Sequence, residues 1–311
     1  MESRLHVSSS PHIRSQETTQ KIMRDVTIAL LPAAAFGVYN FGMSALIVLV
    51  VSVLSAIGAE ALSQVIRKQP ITVNDFSAVV TGLLLGMNLP STVPIWIPII
   101  GSAFAILIVK QAFGGLGHNF MNPALAARAM LVASWPVQMT TWVAVKADAV
   151  TTATPLGILK EGLPVDLPSL SDLLIGSTGG CIGETSSVLL LLGGAFLIYR
   201  GIISFKIPGI YIGTVAVLTL ILTGFDVNLT IINIFAGGLI LGAFFMATDY
   251  ASSPITPRGQ IIYAVGMGIL TTIIRLYGGY PEGVSYSILL MNVAAPLIDK
   301  YSKPRVFGGG K

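Results

Sequence analysis

The sequence predicts an all-α integral membrane protein, and three observations carry this prediction. Of the 311 residues, 53% are hydrophobic and only 10% are charged, whereas a soluble domain carries roughly 25% charged residues. The mean hydropathy is +0.81. The apolar residues also gather into segments close to the length of about 20 residues that a helix needs to cross a bilayer core. This pattern excludes a water-soluble enzyme, a disordered chain and an ordinary nucleic-acid-binding protein.

About ten apolar segments are the predicted transmembrane helices. The first five cover residues 26–41, 44–65, 76–89, 95–113 and 124–138, and the second five cover 185–199, 207–225, 231–247, 260–277 and 284–298. Several are shorter than a full span, which is typical of broken or tilted helices that line a cavity.

The basic residues predict the orientation of these helices. With the N-terminus in the cytoplasm, 14 of the 18 Lys and Arg residues fall on the cytoplasmic side. Only Lys146 and Lys160 fall in outer loops, while Arg128 and Arg275 lie within predicted spans. Such a bias is what the positive-inside rule expects. Both termini are therefore predicted to be cytoplasmic, and the basic character of the chain reflects topology rather than nucleic-acid binding.

Two short motifs recur and predict two inverted repeats of five helices each. The segment GLLLG at 82–86 resembles GLILG at 238–242, and a Gly-Gly pair followed by Met-Asn occurs at 114–122 and again at 278–292. Inverted repeats are common in transporters, and chance similarity between Gly-rich helices is the alternative. The predicted division is a cytoplasmic segment 1–25, a first repeat 26–139, an outer loop 140–183, a second repeat 184–299 and a cytoplasmic tail 300–311.

The clearest candidate for chemistry is the segment DAVTTATPL at 148–156, in the predicted outer loop. The hydroxyl of Thr154, between the small Ala153 and the rigid Pro155, is an accessible acceptor on a locally ordered backbone. From the residues alone, the alternative is that Thr154 caps a helix that starts at Pro155. The single Cys181 and the three His residues predict neither a metal site nor a self-contained iron–sulfur site.

This segment fits the flavinylation pattern D-x-x-[S/T]-x-A-T, with Asp148, Thr151, Ala153 and Thr154 at its fixed positions. The segments at 114–124, 247–254 and 279–292 resemble further motifs of one family, in the same order. Together they look like the Rnf/Nqr membrane flavoproteins, which include the D subunit of the Rnf ion-translocating ferredoxin:NAD oxidoreductase. The B subunit of the sodium-translocating NADH:quinone reductase is a close relative with a longer N-terminal extension. Thr152 stands where Gly is commoner in the family, at a variable position of the pattern.

The resemblance implies that a flavin transferase attaches FMN to Thr154 through a phosphoester, and that riboflavin binds as a second, non-covalent flavin. It implies one electron-transfer subunit of an ion-translocating oxidoreductase, not catalytically complete alone, in a complex that couples ferredoxin:NAD oxidoreduction to Na⁺ or H⁺ translocation. Its implied partners include an iron–sulfur subunit and a second covalent flavoprotein subunit. The implied location is the cell membrane of a bacterium or archaeon.

Asn119, Asn122 and Arg128 are further candidate flavin contacts. The two asparagines belong to the Gly/Asn-rich segment of the resemblance. A charge within a span is by default a functional hypothesis, and the planar guanidinium of Arg128 suits a flavin phosphate or ring oxygen. The alternative is a structural Arg128 satisfied by backbone carbonyls, by Glu60 or by Glu184.

The acids nearest the apolar segments, and Arg275, have alternative interpretations. Glu60, Glu184 and Asp249 supply the oxygens that a cation pathway needs. Alternatively, Glu184 caps the start of its helix and Asp249 pairs with Arg258. Arg275 is predicted to extend to the membrane interface.

Two other functions fit the same composition. Within the family, the chain would be a component like the B subunit of the sodium-translocating NADH:quinone reductase. In a different class, it would be a small-solute channel or secondary transporter with the same inverted repeat. Only the motif in the outer loop separates the transporter from the flavoprotein.

Overall fold

A computed structural model describes residues 17–143, 152–162, 164 and 167–303. In these ranges the regular structure is helical, as predicted. In chain order the α-helices are α1 (Thr19–Phe41), α2 (Met43–Ile66), α3 (Ser77–Met87), α4 (Trp96–Phe104), α5 (Pro123–Ser134), α6 (Pro136–Met139), α7 (Pro155–Glu161), α8 (Leu170–Ile175), α9 (Ser187–Tyr199), α10 (Lys206–Leu222), α11 (Val227–Phe235), α12 (Leu239–Leu241), α13 (Pro257–Tyr277) and α14 (Val284–Tyr301). Helix α4 continues as a π-helical turn, Ala105–Lys110, and α12 as another, Gly242–Met246, while short 3₁₀ turns cover Val73–Asp75, Gln111–Phe113 and Ile182–Glu184.

Four helices in the described ranges are long and apolar enough to cross a membrane: α1, α2, α4 with its continuation, and α13. A fifth span results if α11 and α12, which are bent by 59° at a short break, are counted together. The apolar helices α3, α5, α9 and α10 are shorter, at 10–17 residues. Each predicted segment therefore contains helix, and among the described residues four or five of these helices reach full-span length.

The helices pack in a similar scheme in the two parts of the chain. In the first, α2 packs against α3 and α4, and α5 packs against the same two helices. In the second, α10 packs against α11 and α13, and α14 packs against α13 and the π turn after α12. The two parts meet where α1 contacts α9 and where α5 contacts α14.

The predicted Met-Asn repeat does not occupy equivalent positions. Asn122 is the N-cap of α5 and accepts hydrogen bonds from the backbone N–H groups of Ala124 and Leu125, at 3.0 and 3.2 Å. Asn292 instead lies within α14, and its Oδ1 accepts a hydrogen bond from the backbone N–H of Asn122 at 3.1 Å. The two asparagines thus join α5 to α14 directly, but not as symmetric partners.

The break between α11 and α12 is made by Gly237 and Gly238. Gly237 has a φ of +70°, a left-handed conformation that glycine adopts without strain. The carbonyls at the end of α11 accept hydrogen bonds from Arg275 of α13, through Nη1 to Asn233 and Nη2 to Ala236. An irregular backbone at membrane depth needs such partners because lipid offers none. The expectation that Arg275 extends to the interface is therefore wrong, since its side chain is buried and binds these carbonyls.

Lys110, which the charge count places on the cytoplasmic side, is buried. Its Nζ lies 2.8 and 2.9 Å from the two carboxylate oxygens of Glu60 and 2.6 Å from Oγ of Ser77. The pair joins α2 to the π turn after α4. Glu60 therefore forms its ion pair with Lys110 and is not the acidic partner of Arg128.

Lys110→Met is expected to lower the free energy of unfolding by about 3–5 kcal/mol, because it leaves the buried Glu60 carboxylate without its cation, although Gln111 still donates to it. The double variant Lys110→Met/Glu60→Gln is expected to recover most of this loss, since neither side chain is then charged. Thermal unfolding of the purified protein in detergent measures both. Equal destabilisation in the single and double variants would contradict this account of the pair.

Candidate functional site

A cavity of about 550 Å³ lies beside Thr154. Its walls come from α5, the segment after it, the start of α7 and the stretch 279–286 that leads into α14. Among the side chains that line it are Arg128, Trp142, Thr154, Tyr280, Glu282 and Tyr286. The volume falls within the roughly 300–1,000 Å³ of ordinary small-molecule pockets.

Thr154 is both a helix cap and part of the cavity wall. Its Oγ1 accepts a hydrogen bond from the backbone N–H of Gly157 at 3.1 Å, and Pro155 occupies the first position of α7. The predicted cap is confirmed. Because capping uses this oxygen only as an acceptor, the cap is compatible with a bond from the same oxygen to another group. Ala153 also lines the cavity, whereas Asp148 and Thr151 of the motif lie outside the described residues.

Helix α7 is held in place by one apolar and one polar contact. Leu156 belongs to a buried cluster with Ile232 of α11 and Ala236 at the end of that helix. Nζ of Lys160 donates to the carbonyl of Tyr280 at 2.8 Å and lies 3.4–3.5 Å from two carbonyls at the end of α13. Thr154 is therefore positioned beside the C-terminal ends of α11 and α13.

Arg128 lies at the cavity wall in a network of hydrogen bonds. Its Nη1 donates to Oδ1 of Asn88 at 3.2 Å and to Oγ of Ser285 at 2.9 Å, while its Nη2 pairs with Glu282. The network joins the end of α3 and the middle of α5 to the start of α14. Glu282 is a site residue that the sequence interpretation missed. An Arg within a predicted span needs an acidic partner, and this rule could have pointed to Glu282. Only Glu60 and Glu184 were considered as acidic partners.

Two acids and a thiol converge on Arg128. The side chains of Cys181, Glu184 and Glu282 each bring one potential ligand atom within 4.8 Å of the others. Arg128 is the cation beside them, because its Nη2 lies 3.5 Å from Sγ of Cys181 and 3.9 Å from Oε1 of Glu184. Burial, followed by the nearby Glu282 carboxylate, raises the pKa of Glu184. Among the described residues, Oε1 of Glu184 is a buried atom without a hydrogen-bond partner.

The helix-cap role considered for Glu184 belongs to another residue. Oγ of Ser186 accepts from the backbone N–H of Leu189 at the start of α9. Glu184 lies just before this cap, in the 3₁₀ turn. Its carboxylate is therefore not used as the cap and faces Arg128.

Asn119 and Asn122 lie at a different place in the fold. Both line a smaller cavity, of about 100 Å³, together with Lys110 and Asp249. Asp249 accepts hydrogen bonds from Nδ2 of Asn119 at 3.1 Å and from Oγ of Ser252 at 2.8 Å, so the expectation that it pairs with Arg258 is wrong. Of the candidate flavin contacts, the fold places Arg128 at the Thr154 cavity and separates it from the two asparagines.

Comparison with known proteins gives a consistent result. The family model described as the NQR2, RnfD, RnfE family matches residues 6–308. The chain is 59% identical over 307 residues to the D subunit of the Na⁺-translocating ferredoxin:NAD⁺ oxidoreductase complex of Acetobacterium woodii, covering 98% of this chain and 95% of the relative. It is 50% identical to the D subunit of the proton-translocating ferredoxin:NAD⁺ oxidoreductase complex of Clostridium ljungdahlii, covering 97% of this chain and 96% of the relative. It is 36% identical to the D subunit of the ion-translocating oxidoreductase complex of Aliivibrio salmonicida, with 98% and 99% covered.

Proposed function

The chain belongs to the NQR2, RnfD, RnfE family, and from this premise we propose that it is the electron-transfer D subunit of a membrane complex that couples ferredoxin:NAD⁺ oxidoreduction to ion translocation. The names of its relatives support this assignment over a component like the B subunit of the quinone reductase. Relatives named as Na⁺-translocating and as proton-translocating both match, so the coupling ion in the proposal is Na⁺ or H⁺. On this proposal the chain is one part of an oxidoreductase and translocase and does not complete the reaction alone.

The second part of the proposal is covalent FMN on Thr154. The observation that carries it is the position of Thr154 in the wall of a cavity large enough for a small molecule. The residues present fit the group. Tyr280 and Tyr286 offer aromatic surface to a planar ring, and Arg128 offers donors to a phosphate or ring oxygen.

Each residue then has a distinct role. Thr154 holds the phosphoester, and Asp148, Thr151 and Ala153 complete the motif that a flavin transferase recognises. Bound FMN would accept and pass on electrons, while the protein supplies its position and electrostatics. Arg128, fixed by Glu282 and Asn88, presents a positive charge at the cavity wall.

A second, non-covalent riboflavin belongs to the same proposal. Since Asn119 and Asn122 line the other cavity, as flavin contacts they would serve this second flavin and not the one on Thr154. That cavity is about 100 Å³, below the roughly 300–1,000 Å³ of small-molecule pockets, and would have to widen around a flavin ring.

The proposed topology is ten membrane helices in two inverted repeats, 26–139 and 184–299, with the loop 140–183 on the outer face. The equivalent packing of α2 with α3 and α4, and of α10 with α11 and α13, supports it. So do the contacts between α1 and α9 and between α5 and α14, because equivalent helices of two repeats meet near a two-fold axis. The segments 1–25 and 300–311 are then cytoplasmic, in a bacterial or archaeal cell membrane. The proposed partners are an iron–sulfur subunit, a second covalent flavoprotein subunit and, during maturation, a flavin transferase.

A direct test compares the chain produced with and without an active flavin transferase. With the transferase, we expect flavin fluorescence to remain with the chain on a denaturing gel, because a phosphoester survives unfolding. Without it, the gel band should be dark. A dark band in both samples, with the transferase shown to modify a control protein, would contradict covalent attachment. The channel or transporter function would then be tested by solute flux in liposomes.

A further inference from the structure

The buried cluster around Arg128 has an excess of acid. Arg128 is matched by Glu282, with which it shares a direct ion pair. Glu184 is a second carboxylate at the same guanidinium, at 3.9 Å, and only 8% of its surface is exposed. If both acids were ionised, the three groups would carry one net negative charge in a region of low dielectric, which is costly.

The position of Glu184 leaves one carboxylate oxygen without a hydrogen bond. Within the described residues, Oε1 has no donor. On one side it faces the helix break, where a Cβ added to Gly238 would lie 3.1 Å away. A buried oxygen without a donor is a poor site for a full negative charge but a good site for a proton.

The charged and titratable groups around Glu184 come from four parts of the fold. Arg128 lies on α5, Glu282 precedes α14, Cys181 precedes the same 3₁₀ turn, and Arg275 on α13 is the more distant cation. Glu282 and Arg128 also line the cavity. Arg128 and Glu282 thus lie between the cavity and Glu184. A charge that appears in the cavity therefore changes the electrostatic potential at the Glu184 carboxylate.

We propose that Glu184 is a proton-accepting residue linked to electron transfer in the Thr154 cavity. When a one-electron carrier of the complex, an iron–sulfur centre or another flavin, places an electron in the cavity, one proton from water binds the carboxylate of Glu184. When the electron leaves, the carboxyl group returns this proton to water. The inference rests on the proposed function and adds to it a group that keeps the cavity close to electrically neutral.

The raised pKa of Glu184 agrees with this role. Burial and Glu282 both favour its neutral form, so the group accepts a proton nearer to neutral pH than an ordinary glutamate, whose pKa is about 4.3. An added negative charge in the cavity acts in the same direction. The proton is therefore taken up on reduction and released on oxidation.

The test is the midpoint potential of the covalent flavin against pH, in the purified complex, for the wild type and Glu184→Gln. At low pH the two potentials are expected to coincide, because a neutral carboxyl group and an amide act alike on the flavin. As the pH rises, the wild-type potential should fall below that of the variant, since only the wild type acquires a negative charge. We expect a difference of at least tenfold in the reduction equilibrium, about 59 mV for a one-electron couple.

Glu161→Gln is the matched control. Glu161 also lines the cavity, but it is exposed and its charge is screened by water and salt. Removing the charge of Glu161 should change the midpoint potential of the flavin by much less, and this change should not show the same dependence on pH. An equal effect of the two variants would overturn the specific role of Glu184.

A second readout does not depend on the potential. Infrared difference spectra between the reduced and oxidised complex should show the C=O band of a protonated carboxyl group, sensitive to D₂O, which Glu184→Gln removes. If this variant does not fold, Glu184→Asp should move the pH at which the band appears. A band and a pH dependence identical to the wild type, in flavin-containing variants, would overturn the proposal for Glu184 alone. A difference that follows Na⁺ at fixed pH would also overturn it, and absence of covalent flavin from the wild type would overturn the proposed function as well.

Discussion

Thr154→Ala is expected to remove covalent flavin from the chain completely. The phosphoester requires an oxygen on the side chain of residue 154, and alanine has none. The wild type purified from a host with an active transferase should be heavier than its sequence by one FMN less one water. The variant should have the unmodified mass, and intact-mass spectrometry decides between them.

The alanine variant also loses a helix cap, which costs about 1 kcal/mol. Two further substitutions separate this effect from the loss of the acceptor. Thr154→Asn keeps a capping oxygen but has no hydroxyl, and should remain unmodified. Thr154→Ser keeps both, and should carry flavin. Thr152→Ala changes the neighbouring threonine in the same cavity and should keep the added mass; its loss there would move the attachment site.

Arg128→Met is expected to be the most destabilising of these substitutions. It leaves Glu282 without its cation and removes the only guanidinium beside Glu184 within the described cluster. Removing one partner of a buried pair costs about 3–5 kcal/mol. Thermal unfolding in detergent at neutral pH measures the loss. The stability of Arg128→Lys should lie between those of the wild type and Arg128→Met. Lysine keeps the charge but cannot donate to Asn88, Ser285 and Glu282 from a planar fork.

The destabilisation by Arg128→Met should depend on pH with a definite sign. Burial already raises the pKa of Glu184, and without the guanidinium its carboxyl group favours the neutral form still more. Lowering the pH toward about 4.3, the ordinary glutamate pKa, protonates this group and reduces the penalty. The gap in melting temperature between the variant and the wild type should therefore narrow on acidification. A gap that stays constant with pH, and that Arg128→Met/Glu282→Gln does not reduce, would indicate that packing rather than charge explains the loss.

The predictable part of this fold is the part that depends on composition. The low charge and the apolar segments determine the helical class, and the Thr154–Pro155 pair starts α7 as expected. The break at Gly237 and Gly238 was not predicted, because the apolar run 231–247 continues through it. Two glycines within an apolar run are as typical of close helix packing as of a bend.

The candidate site was predictable only where a local motif carries it. Thr154 was a candidate because its motif is contiguous, and it lines the larger cavity. The ion pair of Arg128 with Glu282 joins residues 154 positions apart, and no local pattern links them. Arg275 was misassigned for a related reason. Its position in the last turn of α13 suggests that its side chain reaches the membrane interface. The direction of that side chain depends instead on the carbonyls of α11, which the local sequence does not reveal.

The shortness of α7 bears on the order in which the protein matures. Seven residues are too few for a helix that is stable by itself, so α7 owes its order to the contacts of Leu156 and Lys160. In the docked state Thr154 is only 6% exposed, too little for a modifying enzyme to reach its hydroxyl. On the proposed function, the transferase therefore reaches Thr154 while α7 is detached, either before this helix first docks or during local opening. Flavin attachment would then precede the docking of α7.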